Sequence, residues 1–274
     1  MPLPVETVHL KAGDSEAWLA PARGGLLTRF AIGGEDVLFL DEATLADPEK
    51  NVRGGVPILF PIGGKLAPDT LPGATVPLKQ HGFARNLPWT VVEASSERAV
   101  LGLDADDRTR AAFPHDFALR FTYRLDGGAL HLEQRFENRG TAPMRIQPGL
   151  HPYFPVADKA GARVDTDATQ AWDNVAGARV AFAAERLRLG DGEVDLHLFD
   201  HGRPGTRLVR PGQRDVVLDW SADQTVLVVW TLPGRPFVCV EPWSAPAGVL
   251  QAATGGLVVP AGGAHESALT IRLG

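Results

Sequence analysis

Hydrophobic and polar residues alternate along two neighbouring segments in the middle of the chain. Apolar residues fill every second position from Leu119 to Leu125, and a similar alternation resumes from Leu130 to Phe136. The turn-forming sequence Asp126-Gly127-Gly128 separates the two segments. Alternation with period two on both sides of a glycine-rich turn is typical of a β-hairpin with one buried face. The sequence therefore predicts an antiparallel hairpin over Ala118–Asn138.

Short apolar or alternating runs recur along the rest of the chain and predict further strands. The 30 glycines and 22 prolines are scattered between these runs and punctuate them. No window has apolar residues at helical spacing over three turns, and Ala43–Lys50 is expected to form one short helical turn at most. The other strands are expected at Trp18–Phe30, Val37–Leu40, Trp89–Glu93, Val216–Trp220, Thr225–Trp230, Phe237–Val240 and Ser267–Leu273.

This distribution of strands favours one fold class. Strands and turns extend over all 274 residues, and neither a Ser/Gly-rich linker nor a repeat period divides them. We therefore expect an all-β protein, a large antiparallel β-sandwich, with a single domain over residues 1–274.

Composition and charge exclude several classes of partner. The hydrophobic fraction of 44% and the charged fraction of 22% are those of a globular protein. A net charge of −6 gives no electrostatic surface for nucleic acid. No run approaches 18 apolar residues, and the N-terminus has no signal-peptide pattern, so we expect no membrane partner and a cytoplasmic protein, monomeric or homodimeric.

The only cysteine, Cys239, cannot form an intramolecular disulfide. Phe237, Val238 and Val240 surround it, which predicts a buried and unreactive thiol in a strand. A nucleophilic role is disfavoured because no obvious base is nearby in the sequence.

Glu241 follows this apolar run directly and precedes Pro242 and Trp243. Because the run is apolar at every position, the strand is predicted to be buried on both faces, with the carboxylate at its end. Burial raises a carboxylate pKa and suits the group to general-base work near neutral pH. Taken alone, however, the segment is more typical of a strand-end carboxylate that reaches water or caps a turn.

His151 lies in a stiff loop, because prolines stand at positions 148, 152 and 155. Tyr153 and Phe154 offer apolar surface beside it. A histidine titrates near physiological pH, so this ring is a candidate proton donor. Taken alone, it is more typical of a structural histidine bonded to loop backbone.

Two further polar residues stand in glycine-containing loops. Arg53 precedes Gly54 and Gly55, which let backbone approach a ligand closely, and its planar fork suits sugar hydroxyls or a phosphate. His81 begins the sequence His81-Gly82-Phe83-Ala84-Arg85. Each of the two is also explained as an ordinary loop residue.

Motifs for other chemistries are missing from the sequence. No HxH or HExxH spacing occurs, and His197 and His201 stand four apart in a segment that is predicted to be a strand, so no metal is expected. Neither GxGxxG, nor GxxxxGK[ST], nor the nucleophile elbow GxSxG is present.

Taken in order, four segments resemble the aldose 1-epimerase (galactose mutarotase-like) family, in the branch of the hexose-6-phosphate epimerases and LacX-like proteins. Flanking strands extend the likeness over nearly the whole chain. The segments are Arg53-Gly54-Gly55-Val56-Pro57 with Phe60-Pro61, His81-Gly82-Phe83-Ala84-Arg85 with Trp89, Gly149-Leu150-His151-Pro152-Tyr153-Phe154, and Glu241-Pro242-Trp243.

The resemblance implies a β-supersandwich fold, an isomerase activity and a role for each matching residue. It implies that His151 is the general acid that protonates the sugar ring oxygen, and that Glu241 is the general base for the C1 hydroxyl. Arg53 and His81 match substrate-binding residues, and Asp195 matches an aspartate that holds sugar hydroxyls. Acid–base ring opening needs no redox change, so no cofactor is expected.

The substrate and the activity have alternatives. The expected substrate is an aldohexose or a hexose phosphate, and Arg85, Arg53 and Lys65 are candidate phosphate ligands. A non-catalytic sugar-binding protein would keep the same cleft without turnover. A carbohydrate-cleaving enzyme would need a second carboxylate at a set distance from Glu241, and Asp195 is the only candidate for that partner.

Overall fold

β-Strands dominate the computed structural model, which describes residues 3–250 and 255–274. Within these residues there are two α-helices, α1 (Glu42–Ala46) and α2 (Asp107–Ala112), and 3-10 helices at Pro21–Arg23, Ala84–Asn86 and Ala184–Arg186. The strands are β1 (Val8–Ala12), β2 (Ser15–Ala20), β3 (Leu26–Ile32), β4 (Glu35–Asp36), β5 (Ile58–Leu59), β6 (Thr90–Ala94), β7 (Arg98–Asp104), β8 (Phe117–Leu125), β9 (Ala129–Asn138), β10 (Met144–Ile146), β11 (Gly149–Leu150), β12 (Tyr153–Pro155), β13 (Arg163–Val164), β14 (Gln170–Asp173), β15 (Ala178–Ala181), β16 (Val194–Leu198), β17 (Gly205–Val209), β18 (Val216–Trp220), β19 (Val226–Thr231), β20 (Phe237–Trp243), β21 (Leu257–Val259) and β22 (Ala264–Leu273).

Two eight-stranded sheets form most of the structure. The site sheet has the order β15-β14-β16-β19-β20-β11-β5, and β12 also pairs with β20. The back sheet has the order β13-β17-β18-β22-β9-β8-β7-β6. Neighbouring strands in both sheets are antiparallel. Two smaller sheets, β1-β2-β3-β4 and β10-β21, complete the fold. The predicted all-β antiparallel architecture is confirmed.

The two large sheets share one apolar core. Alternate residues of the back sheet, such as Phe121 on β8, and of the site sheet, such as Val229 on β19 and Val240 on β20, belong to a single buried cluster. Period-two alternation sends the intervening residues to the opposite face of each sheet. The face of the site sheet that points away from the core is therefore free to carry chemistry.

Several predicted elements coincide with the observed ones. The hairpin over Ala118–Asn138 is formed by β8 and β9, and the strand at Val216–Trp220 is β18. Helix α1 covers the start of the predicted helical turn. The predicted burial of the Cys239 thiol is also confirmed.

Two strand predictions are corrected and a third region is divided. Trp18–Phe30 contributes to two strands, β2 and β3, because Pro21 starts a 3-10 helix between them and Gly24 and Gly25 take positive φ. Val37–Leu40 forms no strand: Val37 and Leu38 are buried, and the ladder-like contact of the segment within the described residues is an isolated bridge between Leu40 and Gly54. Strand β20 continues to Trp243, so Glu241 lies inside the strand rather than at its end.

None of the helices among the described residues has the length and apolar character needed to cross a bilayer. The structure contains a single chain, so the monomeric or homodimeric state stays a prediction, as does the cytoplasmic location.

We predict that Phe60→Ala lowers the free energy of unfolding by about 3–5 kcal/mol, measured by chemical denaturation. The fully buried Phe60 ring contacts the rings of Phe83 and Phe117, at centroid distances of 5.9 and 5.0 Å, and of Phe136 on β9 at 5.9 Å. The matched control is Val92→Ala on edge strand β6, whose side chain is exposed and whose loss should cost less than about 0.5 kcal/mol. Equal costs for the two variants would contradict this account of the core.

Candidate active site

Strand β20 supplies alternate residues to the outer face of the site sheet. Val238 and Val240 point into the core, whereas Cys239, Glu241 and Trp243 point the other way. All seven residues of the strand are buried, so the predicted burial of this strand on both faces is confirmed. A carboxyl group in the middle of such a strand is withdrawn from water.

The neighbouring strands extend this row of side chains sideways. On β19, Val228 stands opposite Glu241 and Trp230 stands opposite Cys239. On β16, His197 stands opposite Val228 and Asp195 opposite Trp230. Residues paired directly across an antiparallel ladder point to the same face. Asp195 and His197 on β16 therefore lie on the same face of the sheet as Glu241.

A cleft of about 520 Å³ lies over this face. All six predicted site residues line this cleft. One of them, Glu241, lies on β20, and the others lie on segments to either side of that strand. Its lining residues are Asn51, Val52, Arg53, Gly64, Lys65, Gln80, His81, Arg85, His151, Tyr153, Asn174, Glu193, Asp195, His197, Val228, Trp230, Glu241, Trp243 and Ala247. The structure thus brings together predicted site residues that are up to 188 positions apart in the sequence, from Arg53 to Glu241.

Glu241 is 1% exposed, and the indole Nε1–H of Trp243 donates a 3.0 Å hydrogen bond to its Oε2. Burial raises the pKa of the Glu241 carboxyl well above its ordinary value, and the nearby Asp195 carboxylate adds to the rise. The Trp243 bond and the Arg85 charge act in the opposite direction. Burial outweighs both, so the carboxyl group holds a proton more readily than an exposed glutamate.

His151 is 7% exposed, and its ring stacks on Tyr153 at a centroid distance of 4.7 Å. Its Nδ1 lies 3.4 Å from Glu241 Oε1, although the two are not aligned as a hydrogen bond. Burial, aided by the Arg85 charge, lowers the pKa of His151 to about 3. The raised pKa of Glu241 and the lowered pKa of His151 each favour the neutral group, so a proton held by the pair lies on Glu241.

His81 is held in a specific tautomer by backbone. Its residue adopts a positive φ of 64°, and its Nδ1 accepts a 3.0 Å hydrogen bond from the Gly64 amide. An acceptor at Nδ1 places the proton of the neutral ring on Nε2. Burial, aided by the Arg85 charge, lowers the pKa of His81 well below its ordinary value, so the ring is neutral. His81 therefore offers the cleft a neutral hydrogen-bond donor.

Asp195 stands on the opposite side of β20 from the loops that carry His81. Its Oδ1 accepts a 2.9 Å hydrogen bond from Asn174 Nδ2 and lies 3.7 Å from His197 Nε2. Burial raises the pKa of Asp195, and the Asn174 bond counteracts part of that rise. One carboxylate oxygen is thus oriented by Asn174, and the side chain lines the cleft.

Sequence reasoning missed the residue that fixes Glu241. The Trp243 indole has the His81 ring edge-on at 5.6 Å and the His197 ring at 5.0 Å. A Cβ at Gly63 or Gly149 would come within 2.7 and 2.6 Å of the indole, so both positions require glycine. Trp243 is therefore locked in place, and the alternation of β20 would have placed it on the same face as Glu241.

The sequence also did not predict other residues that line the cleft, or predicted a different role for them. His197 was considered only as half of a metal motif and rejected, yet its position on β16 two residues after Asp195 places it in the cleft. Asn174 and Gln80 carry no sequence signal beyond being polar residues near turns. Among the described residues, one group of ligand-type side chains converges closely enough for a metal ion: His151, Cys239 and Glu241.

We predict that Trp243→Phe raises the pKa of Glu241 further, because it removes a hydrogen bond that stabilises the charged carboxylate. Carbon-13 NMR titration of the glutamate side-chain carboxyl signals measures the change. The matched control is Trp220→Phe, which removes an indole bond to the Gln224 carbonyl and should leave the Glu241 titration unaltered. A Glu241 pKa that stays constant or falls in Trp243→Phe would show that the indole does not govern this group.

Comparisons with known proteins bear on the identity of the cleft. A family model described as Aldose 1-epimerase matches residues 6–272. The crystal structure of the Slr1438 protein from Synechocystis has 34% sequence identity and a TM-score of 0.94, and the match covers 98% of this chain and 96% of that one. A galactose mutarotase related enzyme from Lactobacillus acidophilus shares the fold, with a TM-score of 0.78 at 19% identity over 98% of this chain and 97% of that one.

A curated relative from Escherichia coli carries the name "Putative glucose-6-phosphate 1-epimerase" and is 35% identical over 147 residues. That match covers 51% of this chain and 45% of the relative, so the chain spans less than half of the relative's length. The family model, in contrast, extends over nearly the whole chain. The chain belongs to the aldose 1-epimerase family, as its four sequence segments predicted.

Proposed function

We propose that this protein is an aldose 1-epimerase, an isomerase that interconverts the α and β anomers of an aldohexose, with His151 as the general acid and Glu241 as the general base. The observation that carries the proposal is the contact between these two buried side chains, 3.4 Å apart, on the wall of a cleft of about 520 Å³. A cleft of this volume suits a single small ligand. One shared apolar cluster, from Leu10 to Leu273, supports a single domain.

The reaction moves one proton between two oxygens of the sugar. Ring opening removes the proton from the C1 hydroxyl, breaks the bond between C1 and the ring oxygen, and delivers a proton to that oxygen. Both oxygens are bonded to C1, so the acid and the base must be neighbours, as His151 and Glu241 are. Rotation of the free aldehyde about its bond to C2 and the reverse proton transfers close the ring on its other face.

The proton balance fits a pair that holds one proton. Burial places that proton on Glu241 in the free cleft, so the reactive form is the one in which it has moved to His151. Glu241 then accepts the hydroxyl proton as the protonated His151 gives its proton to the ring oxygen, and ring closure restores both groups. The number of protons on the pair is therefore the same after each turnover, and no redox change takes place. Each well-positioned acid or base contributes about 10²–10⁴-fold to such a reaction.

The remaining predicted residues are proposed to hold the substrate. Asp195, oriented by Asn174, accepts hydrogen bonds from sugar hydroxyls, and the Nε2–H of His81 donates one to a sugar oxygen. Arg53 and Arg85 line the same cleft and offer planar donor groups. Asp195 lies on β16, on the β19 side of Glu241, whereas Arg85 lies in the 3-10 helix Ala84–Asn86, which packs beside β5 on the other side of β20.

We predict that Glu241→Gln reduces the acceleration of anomer exchange by at least ~10²-fold, because the amide cannot accept the hydroxyl proton. Exchange NMR on glucose and galactose measures the rate, and circular dichroism shows whether the fold is kept. The matched control is Glu266→Gln on the back sheet, which should retain full activity. If Glu241→Gln exchanges anomers at the wild-type rate, the assignment of the base is wrong. If the wild-type protein binds sugars without accelerating exchange, the protein is a sugar-binding module.

A hexose 6-phosphate is the second candidate substrate. Arg53, Lys65 and Arg85 bring three cationic side chains to one side of the cleft, and the Escherichia coli relative is named for glucose 6-phosphate. Burial lowers the pKa of Arg85 and the nearby Glu241 charge counteracts that effect, yet the guanidinium stays charged at neutral pH. Three cations that line one cleft favour a phosphorylated ligand there.

For this second candidate we predict that Lys65→Met raises KM for glucose 6-phosphate by roughly tenfold, the effect of losing about 1.4 kcal/mol of binding, and leaves KM for glucose unchanged. Lys65 is exposed at the mouth of the cleft, and the matched control, Lys79→Met, removes an exposed lysine that does not line it. Equal effects of Lys65→Met on both sugars, or no effect on either, would contradict a phosphate site at this position.

A further inference from the structure

Cys239 stands on the outer face of the site sheet, although the proposed reaction gives it no role. It precedes Glu241 by two residues on β20, so the two side chains share a face. Tyr153, Phe237 and Trp230 surround the thiol, which is fully buried. Cys239 is the only cysteine of the chain, and its side chain lies beside that of the proposed base, Glu241.

The thiol, the carboxyl and the imidazole converge on one point. Cys239 Sγ, an oxygen of Glu241 and a ring nitrogen of His151 all lie within 4.8 Å of one another. His151 Nδ1 lies 3.4 Å from Glu241 Oε1, and although it is buried it has no hydrogen-bond partner among the described residues. A buried ring nitrogen without a partner is uncommon and leaves a lone pair or a proton unsatisfied.

This donor set matches the chemistry of a soft divalent cation. Zn²⁺ binds thiolate sulfur at about 2.3 Å and imidazole nitrogen or carboxylate oxygen at about 2.0–2.2 Å. Tetrahedral ligation therefore requires the present separations to contract by at most ~1.3 Å. A thiolate ligand selects Zn²⁺ or Cd²⁺ over Mg²⁺ and Ca²⁺, which prefer sets made of oxygen alone. Three protein ligands leave a fourth position for water, as in open zinc sites.

We propose that His151, Cys239 and Glu241 form an inhibitory site for a soft divalent metal ion of the Zn²⁺ class. The bound ion occupies the imidazole nitrogen and the carboxylate that the sugar needs, so metal and sugar exclude each other. The metal site rests on the geometry of the three side chains alone. Inhibition as its consequence rests on the proposed epimerase function. The ion is an inhibitor here and takes no part in the acid–base reaction.

The first test measures anomer exchange in the presence of increasing ZnCl₂ for the wild-type protein, Cys239→Ser and Cys239→Ala. Both variants keep the acid–base pair and are expected to keep the basal rate. Loss of a metal ligand should raise the Zn²⁺ concentration for half-inhibition by at least ~10-fold. Removing a residue that only hydrogen-bonds to a ligand already weakens metal binding by about that factor. MgCl₂ is expected to leave all three proteins active.

A control separates this site from a neighbouring pair of ligands in the cleft. His197 Nε2 and Asp195 Oδ1 lie 3.7 Å apart and offer a second place for the ion. His197→Asn should keep the wild-type sensitivity to Zn²⁺ if the site is at Cys239. Loss of inhibition in His197→Asn, with full inhibition of Cys239→Ser, would place the ion at Asp195 and overturn the proposal.

The second test does not depend on activity. Co²⁺ added to the wild-type protein should give a thiolate-to-metal charge-transfer band that Zn²⁺ displaces, that glucose at saturating concentration weakens, and that Cys239→Ser lacks. A band in a protein that fails to accelerate anomer exchange would uphold the metal site and refute the epimerase. Wild-type activity without the band, together with equal Zn²⁺ sensitivity of wild type and Cys239→Ser, would refute the metal site and leave the epimerase standing.

Discussion

The contact between the Glu241 carboxyl group and the His151 imidazole requires both side chains to be withdrawn from water. Strand β20 achieves this by packing one face on the core and placing the other under the cleft residues. Burial penalises the charged form of each group, so it raises the pKa of the carboxyl and lowers that of the ring. The two shifts leave one proton for two groups, and the rest of the site serves to keep that pair dry, oriented and within reach of a sugar.

Much of the fold follows from local patterns in the sequence. The hairpin β8–β9 and strand β18 have clear alternation or apolar runs bounded by turn residues, and the structure has them where they were expected. The segment Val37–Leu40 is as apolar as a strand, but it buries Val37 and Leu38 in the core without forming a strand, because its backbone bonds to scattered partners such as the Tyr153 carbonyl. An apolar run predicts that a segment is buried. Whether the segment pairs as a strand depends on which distant segments lie beside it.

The candidate site shows the same division between local and remote information. The four apolar residues before Glu241 predicted a buried strand, but not that Glu241 lies inside it. The prolines around His151 predicted a stiff loop. The role of Trp243 could not be predicted, since it depends on the close approach of Gly63 and Gly149 from two other segments. The neutral state of His81 likewise depends on burial and on the nearby Arg85 charge, and its tautomer depends on the Gly64 amide. The proximity of Cys239 to the pair combines strand alternation, which is local, with the placement of His151, which is not.

If His151 and Glu241 act as one unit that shares a proton, a double-mutant cycle on the anomer-exchange rate will show it. Residues that act as a unit lose their contributions together rather than additively. We expect Glu241→Gln, His151→Asn and the double variant all to fall to the same residual rate. A double variant slower than either single variant by the product of their separate losses would show that the two groups act independently and do not share a proton.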